Sequence, residues 1–491
     1  MALTVTASDI VSLYRPSKCN LRIYLNEKGY PKDEESPYEA VLRKLGQRHE
    51  ERYLSTIGPY ENLGVGNPDD RVSQTSRHIR KGTPSIYHGL LRANMRIEDG
   101  EVLVIGEPDF IVRSGDSYII RDAKISRRIT KADHTEILLQ LQLYSWLYQQ
   151  MTGKQSAGLE VYSGREIIEI IPQEEGQVLG LVEEITELKR AKSEPYSPVG
   201  WSKCGGCTFR STCWPRAEKS QDISLVPRLD QGLARDLMTR GISTISGLLD
   251  HYTEETLAVV QRPWGTKTQK VGKLAIPIIR SARALKAGEA IPIQRPIVPV
   301  SNNYAMFDIE GMPPYLNEME KIYLWGLQVY GKKPGPFLAA TGGFGPDGDR
   351  LAWENFLINA KRVFDEYGDI PFIHWHTYEK THVTTYLERW GDSDGVAERI
   401  LKNLLDLLRV TQESIALPLP SYSLKVVEKY YGYERKLPEA NGNWAMAKYI
   451  EATETEDENE RNRVIDTIKA YNNEDIEAMW EVMKKIVPAI V

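Results

Sequence analysis

Two aspartates and a lysine in the stretch "EVLVIGEPDFIVRSGDSYIIRDAKIS" (101–126) have the types and spacing to hold a cation beside a phosphoester. Two apolar runs flank "SGDS", and Gly115-Asp116 suits a two-residue type II′ turn, whose twist matches that of paired strands. With that turn, Asp109 falls directly opposite Asp122, and directly opposed side chains share a sheet face with Cβ atoms about 4.5–5.5 Å apart. Lys124, two residues beyond Asp122, projects from the same side. Two carboxylates that close repel unless a cation sits between them, and Mg²⁺ or Mn²⁺ meets that need through oxygen ligands. The lysine can orient or deprotonate a water and offset charge building on a phosphate. A lone D-x-K is an ordinary surface salt bridge. Its opposition to Asp109, within two apolar and hence buried strands, argues for a site.

A second set of carboxylates lies far downstream. "NYAMFDIEG" alternates as a strand, so Asp308 and Glu310 share a face, and "KIYLWGLQVYG" (321–331) follows at hairpin distance. "YNNEDIEAMW" places Tyr471 and Asp475 one helical turn apart. "PFIHWHTYEKTHV" (371–383) reads as a strand running into a helix, with Glu379 as its acid. His374 and His376 are expected to alternate on that strand around Trp375, as packing residues in preference to a metal pair. Asp406 reads as structural or as a contributor to the site.

The third group is sulfur. "WSKCGGCTFRSTCW" (201–214) carries Cys204, Cys207 and Cys213, and Cys19 is the fourth cysteine of the chain. The C-x2-C-x5-C spacing brings three thiols within reach of one centre, helped by Gly205 and Gly206. Zinc and an iron–sulfur cluster both accept four thiolates, and spacing alone leaves both open. Ligation of Cys19 would close a loop of more than a hundred residues and so restrict the unfolded chain.

Helices must bring neighbours to the hairpin. In "YEAVLRKLGQRHEERYL" (38–54), Leu42, Leu45, His49 and Tyr53 share a face, which points His49 inward. In "TEILLQLQLYSWLYQQM" (135–151), Gln140 and Tyr144 are one turn apart. The chain divides into a mixed segment over 1–218, a short helical one over 222–286 and a last one over 301–491. "GEAIPIQRPIVPV" (288–300), with three prolines, is an extended connection to the last segment. In the middle segment, "GIST" with Gly241 sits between two short helices, a spacer or an element whose backbone amides hold a phosphate. "GFGPDG" (343–348) formally fits a dinucleotide motif but reads as a loop, given Pro346 and Asp347. "GTKTQKVGK" (265–273) has the wrong spacing for a phosphate loop, so an intrinsic ATP-driven motor is not expected.

The ordered set His49, Asp109 in "GEPDF", Asp122-x-Lys124, Gln140-x-x-x-Tyr144 and C-x2-C-x5-C, bracketed by Cys19, resembles the iron–sulfur branch of the RecB-like PD-(D/E)XK nucleases. That branch includes AddB-type and CRISPR-associated exonucleases, and the resemblance covers about 1–218. It implies His49, Asp109 and Asp122 as metal ligands and Lys124 as the catalytic lysine. Gln140 and Tyr144 then support the lysine or the DNA, and a 4Fe–4S cluster sits on Cys19, Cys204, Cys207 and Cys213. Asp122 stands where this branch commonly has Glu. Over 301–491, D-x-E, the late helical Y-x3-D, the "DLL" at 406–408 and "YSLKVVEKYYGYER" (422–435) resemble RNase H-fold exonucleases of the DEDD type, YprB-like members above all. There the carboxylates hold two metal ions, which implies Asp308, Glu310 and Asp475 as ligands, with Glu379 where the family has Asp and Tyr471 in support. The middle segment resembles a helix-hairpin-helix bridge.

The expected fold class is therefore mixed α/β, with a PD-(D/E)XK domain, a small helical bridge and an RNase H-like domain. Composition fits a globular protein, at 41% apolar and 26% charged residues. No apolar run reaches membrane-spanning length and "MALTVTASDI" lacks signal-peptide regions, so the cytoplasm is the expected compartment and disulfides are not expected. A net charge of −6 advertises no global attraction to nucleic acid, and "RHIRKG" (77–82), "KISRRITK" (124–131) and "RSARALK" (280–286) read as solvated faces. The expected activity is divalent-metal-dependent hydrolysis of DNA with single-stranded character, in repair, recombination or processing; a helicase, where one is needed, would be a separate chain. The rivals are a non-catalytic nucleic-acid-binding scaffold and an RNA-processing nuclease led by the last segment.

Overall fold

The computed structural model describes residues 3–98, 100–125, 129–130, 134–163, 166–172, 174–265, 267–312, 320–438 and 440–488. Ser126, Arg127, Arg128 and Lys131 of the basic stretch at 124–131 lie outside them. The chain is mixed α/β and forms two compact units, the first running to Pro215 and the second from Arg216, so that residues 222–286 group with the later segment. No described helix is long and apolar enough to cross a membrane.

In the first unit, helix α1 (Asn20–Glu27) starts at Cys19, its N-cap residue. Helix α2 (Pro37–Leu54) is started by a capping box, in which Ser36 accepts from the Glu39 amide and Glu39 reaches back to the Ser36 amide. A six-stranded sheet follows in chain order: β1 (Tyr60–Asn62), β2 (Ser85–Tyr87), β3 (Phe110–Ser114), β4 (Ser117–Ala123), β5 (Gly158–Tyr162) and β6 (Ile167–Glu169). The β3–β4 hairpin turns at Gly115, the residue there with positive φ, and pairs Ser114 with Ser117 through Phe110 with Arg121. That is the register the two-residue turn requires.

Strand β4 runs parallel to β5, a connection that needs a crossover, and α3 (Thr135–Thr152) supplies it. A separate three-stranded sheet (Thr4–Thr6, Gly100–Gly106, Leu91–Ile97) packs on another side of α3. Covered from several directions, α3 is apolar nearly all round, with Ile137 through Tyr144 buried without a break. Gly106 lets it approach: a Cβ there would fall 2.6 Å from the Tyr144 ring. Helix α4 (Arg210–Ser220) begins at the end of the unit and runs past Pro215, and Phe209 just before it packs on Tyr24 and Leu25 of α1.

The second unit begins with α5 (Gln231–Thr239) and α6 (Ile245–His251), joined through Gly241 in the left-handed region. The segment read as all-helical also holds a hairpin, β7 (Gln261–Trp264) and β8 (Lys267–Lys270), before α7 (Ala275–Ala287). Pro263 argues against a central strand but is compatible with an isolated two-stranded ribbon, which is how it is used.

A five-stranded sheet then has β9 (Asn303–Met312) at its centre. Strands β10 (Lys321–Gly331) and β11 (Leu338–Ala340) are antiparallel neighbours on one side. After α8 (Gly345–Tyr367) come β12 (Phe372–His374), then α9 (Tyr378–Trp390) and β13 (Leu404–Asp406), both strands parallel to β9's direction. The order is β11-β10-β9-β12-β13. Helices α10 (Leu407–Ser414), α11 (Leu424–Tyr430), α12 (Gly442–Glu454) and α13 (Glu458–Ile486) follow. "GFGPDG" is not a loop throughout: Gly345 opens α8, and Pro346 sits in its first turn, where a missing N–H costs nothing.

Alternation on β9 sorts the two cores. Ala305, Phe307 and Ile309 face α8, where Phe307, Trp325 and Phe356 stack, each burial contributing roughly 1.5–3 kcal/mol. Tyr304 and Met306 face the other way, into a core with Ile476, Met479 and Met483 of α13. Asp308 and Glu310 continue that second face. Gly326, opposite Asp308 on β10, has no side chain to keep α13 away; a Cβ there would collide with Asn472.

Candidate active sites

At the open end of the β3–β4 hairpin, the two aspartates are tied to each other's strand. The Asp109 amide donates to Asp122 Oδ1 at 3.1 Å, and the Ala123 amide donates to Asp109 Oδ2 at 2.7 Å. Lys124 Nζ lies 3.0 Å from Asp122 Oδ2, with Asp122 1% and Lys124 27% exposed in their side chains. Burial first, then the Asp122 charge, pushes the Asp109 carboxyl up to about 8. Burial acts against the Lys124 ammonium, but Asp122 and then Asp109 outweigh it and hold the group charged. The arrangement is thus a buried acidic pair with Lys124 beside Asp122, a place that a divalent cation would suit.

His49 is buried on α2 as its helical face requires, and its ring stacks on Tyr162. Its Nε2 faces the Tyr162 carbonyl at 3.1 Å; since a carbonyl only accepts, Nε2 carries the proton and Nδ1 keeps the lone pair. Burial holds the ring neutral by lowering its affinity for a second proton. Gln140 Nε2 donates to the Tyr144 hydroxyl at 2.8 Å, both buried. Burial and then the Asp122 and Asp109 charges raise the Tyr144 hydroxyl well above its ordinary value, so Tyr144 belongs to the same electrostatic group.

Sequence reasoning missed a second ring of residues here. Glu50 accepts from the Tyr87 hydroxyl at 3.1 Å, and His88 Nδ1 lies 3.1 Å from Glu107 Oε1, which Arg71 also reaches at 3.0 Å. The His88 amide donates to the Asp109 carbonyl at 3.0 Å, and His88 takes a left-handed φ of 54°. Burial opposes protonation of His88, yet the Glu107 hydrogen bond and the charges of Asp109, Glu107 and Glu50 outweigh it and raise its pKa. Glu50 follows His49 directly and Glu107 stands within "GEPDF", so both lay beside residues already singled out.

In the second unit, ligand atoms of Asp308, Glu310 and Asp475 lie within 4.8 Å of one another. Asn472, one turn before Ile476 on α13, donates Nδ2 to Asp308 Oδ2 at 2.6 Å and to Glu310 Oε1 at 3.3 Å. Burial, then Asp475 and Glu310, raises the Asp308 carboxyl well above its usual range, and burial and Asp475 do the same for Glu310. Glu379 is buried in the first turn of α9, 3.3 Å from His374 Nδ1; burial raises its carboxyl, and the His374 bond works against that. Tyr471 is buried, and burial followed by the Asp475 charge raises its hydroxyl.

Arg435, not foreseen, pairs with Asp475 and bidentately with Glu428, its side chain 5% exposed. Lys425 Nζ is buried beside this group, 5.0 Å from the Tyr471 ring centroid. Asp406 is a cap: its Oδ1 accepts from the amides of Arg409 and His376. His376 does not alternate with His374 on a strand, because β12 ends at His374 and His376 turns to a φ of 76°.

The two cysteine-bearing segments are brought together by ordinary hydrogen bonds. Ser17 Oγ donates to the Lys203 carbonyl at 3.0 Å, and the Asp33 amide donates to the Thr208 carbonyl at 2.7 Å. Arg22 Nε donates to Cys207 Sγ at 3.4 Å, and Cys19 Sγ is 3.2 Å from Ser197 Oγ. Burial, then the Cys207 and Cys19 charges, raises the Cys204 thiol. No three cysteine sulfurs approach within 4.8 Å among the described residues.

These geometries carry a first prediction. In an Asp308→Asn background, Mn²⁺ must displace the proton held by Asp109. Its affinity should therefore rise with pH, by up to about tenfold per unit, and level off above about pH 8. Calorimetric titration across that range checks it; a pH-independent affinity would reject the pairing.

Residues 17–214 match the model of the PD-(D/E)XK nuclease superfamily and residues 305–487 that of the RNase H superfamily. No curated protein sequence matches the chain. A solved structure described as the crystal structure of SSO0001 is similar over 43% of this chain and 85% of its own, at 18% identity and a TM-score of 0.24. Both superfamilies are nucleases, PD-(D/E)XK enzymes use divalent metals, and such domains imply nucleic-acid binding. The chain thus carries a PD-(D/E)XK nuclease domain, with the hairpin aspartates and Lys124 inside it, and an RNase H superfamily domain around Asp308, Glu310 and Asp475.

Proposed function

We propose that this chain is a divalent-metal-dependent nuclease with two sites, hydrolysing phosphodiester bonds in DNA of single-stranded character during repair or recombination. The observation that carries the reading is the facing pair Asp109 and Asp122 with Lys124 Nζ 3.0 Å from one of them. In the first site Asp109 and Asp122 would hold Mg²⁺ or Mn²⁺, and His49, whose ligand atoms do not gather with theirs within 4.8 Å, would have to draw in to join them, with Glu50 and Glu107 shaping the surrounding charge. In the second, Asp308, Glu310 and Asp475 would do so, with Glu379 beside them. The ion, when bound, supplies Lewis-acid stabilisation of the attacking and leaving oxygens.

The protein's own part is charge and position. In the hydrolysis, a water gives up a proton as its oxygen forms a bond to phosphorus, the bond from phosphorus to one sugar oxygen breaks, and that oxygen takes up a proton. Lys124, held as an ammonium, offsets negative charge gathering on the phosphoryl oxygens rather than acting as a base. Gln140 donates to the Tyr144 hydroxyl and fixes it in a buried position. We further assign the four cysteines to a 4Fe–4S cluster that clasps α1 to α4, a reading supported by the resemblance of their order to the iron–sulfur branch and by the hydrogen bonds that bring the two cysteine-bearing segments together. The first unit then fits the RecB-like branch and the second the YprB-like one.

A second reading applies to the second unit alone. Arg435 on Asp475 and Asn472 across Asp308 and Glu310 already compensate part of that acidic group, which favours a binding-only domain. One panel separates these readings: parent, Asp109→Asn and Asp308→Asn proteins with end-labelled single-stranded DNA, duplex DNA and matched RNA, each with Mg²⁺, Mn²⁺ or chelator. Metal-dependent shortening of the single strand that each variant reduces supports the proposal, shortening that Asp308→Asn leaves at the parental rate supports the binding-only second unit, and no shortening of any substrate by the parent rejects the proposal.

A further inference from the structure

The β7–β8 hairpin gathers positive charge and an exposed ring outside both carboxylate sites. Between Thr256 and Gly288 the chain has no Asp or Glu and seven Lys and Arg, although its net charge is −6. Arg280 and Arg283 are answered by Glu254, and Lys286 by Asp250. Among the described residues no acid answers Lys267, Lys270 or Lys273, which are exposed. At the hairpin tip stands Trp264, 57% exposed, more than any other described aromatic side chain.

Trp264 is not loose. Arg262, two residues back on the same strand face, places its guanidinium 4.5 Å from the indole centroid. Arg262 itself is 4% exposed and pairs with Asp230, the N-cap of α5, which also accepts from the Gly232 and Leu233 amides. A buried cation therefore backs one face of the ring and bolts it to a helix start, while the ring remains open to solvent elsewhere. Strand pairing sets Lys267 directly opposite Trp264 and Gln269 opposite Arg262, so one ribbon face carries a flat ring, an ammonium and an amide. An exposed apolar ring costs solvation, and a fixed one has lost the freedom that would offset this. That combination suits a partner with a π-face and negative charge one residue away.

We propose that the β7–β8 hairpin is a binding site for single-stranded nucleic acid, in which a base stacks on Trp264 and an adjacent phosphate pairs with Lys267. Stacking accepts any base, and only an unpaired strand offers a free face. The proposal rests on the nuclease reading for its substrate class and adds the place where the strand is held.

The test uses the full-length chain with divalent metal withheld, and labelled single-stranded DNA, single-stranded RNA and duplex DNA followed by anisotropy. Trp264→Ala should weaken both single strands about tenfold and leave duplex binding unchanged, whereas Trp264→Phe should stay within about twofold of the parent. Lys267→Gln should reduce the slope of log affinity against log salt by about 0.7, the loss of one phosphate contact. Equal single-strand affinity of Trp264→Ala and parent, with unaltered thermal unfolding, overturns the proposal and assigns the exposed ring to a protein partner. Adding Mn²⁺ to the same complexes separates the claims. Trp264-dependent binding without cleavage sinks the nuclease reading and keeps the hairpin; cleavage without Trp264-dependence does the reverse.

Discussion

Replacing Lys124 with alanine is expected to lower cleavage at the first site by about a hundred- to a thousand-fold, measured in an Asp308→Asn background. The effect follows from position. Lys124 is the cation paired with Asp122, and the ammonium is part-exposed while its partner is sealed, so it faces the open side of the acidic pair. Removing it leaves two carboxylates 13 residues apart in sequence without the ammonium that offsets the charge of an arriving phosphate. The fold should survive, because Asp109 already tends to hold a proton and would do so more firmly once the lysine is gone. Lys124→Arg, which keeps the charge but changes its shape, should restore only a small part of the activity. A Lys124→Ala variant that folds and cuts at the parental rate would remove Lys124 from the site.

The second large effect is one of stability. Arg435→Met is expected to destabilise the second unit by about 3–5 kcal/mol at neutral pH, because it removes one partner from a buried ionic group. Glu428 and Asp475, both buried, would lose the guanidinium that binds them, and Glu474 would lose a nearby charge at 4.0 Å. Urea denaturation of parent and variant checks it, with the variant's midpoint expected to fall by an amount that corresponds to this loss. An unchanged midpoint would mean that the arginine does not hold the ionic group together.

Which parts could be read from residue order follows from the range of the forces that set them. The Asp109–Asp122 opposition was legible because a two-residue turn leaves one register, and the observed pairing of Ser114 with Ser117 is that register. Asp308 and Glu310 were legible because strand alternation is local, and the shared face is the one that meets α13. Gln140 and Tyr144 were legible by helical spacing and do form a hydrogen bond.

Glu50, His88 and Glu107 were not, because three separate elements must dock before their side chains meet, and no periodicity records that docking. Arg435 follows α11 at a distance of forty positions from Asp475, so only tertiary packing joins them. Two local readings failed for a different reason. Pro346 breaks a helix interior but equally suits a helix start, and α8 uses it so. His376 extends an alternating pattern on paper, yet the backbone leaves the strand at His374 to present its amide to Asp406.

The most direct measurement is release of labelled fragments from single-stranded DNA by four proteins: parent, Asp109→Asn, Asp308→Asn and the double variant, each with Mn²⁺. Two carboxylate sites predict partial loss in each single variant and none of the metal-dependent release in the double. A double variant that folds and releases fragments at the parental rate would contradict the account, because neither acidic group would then be where the phosphodiester is broken.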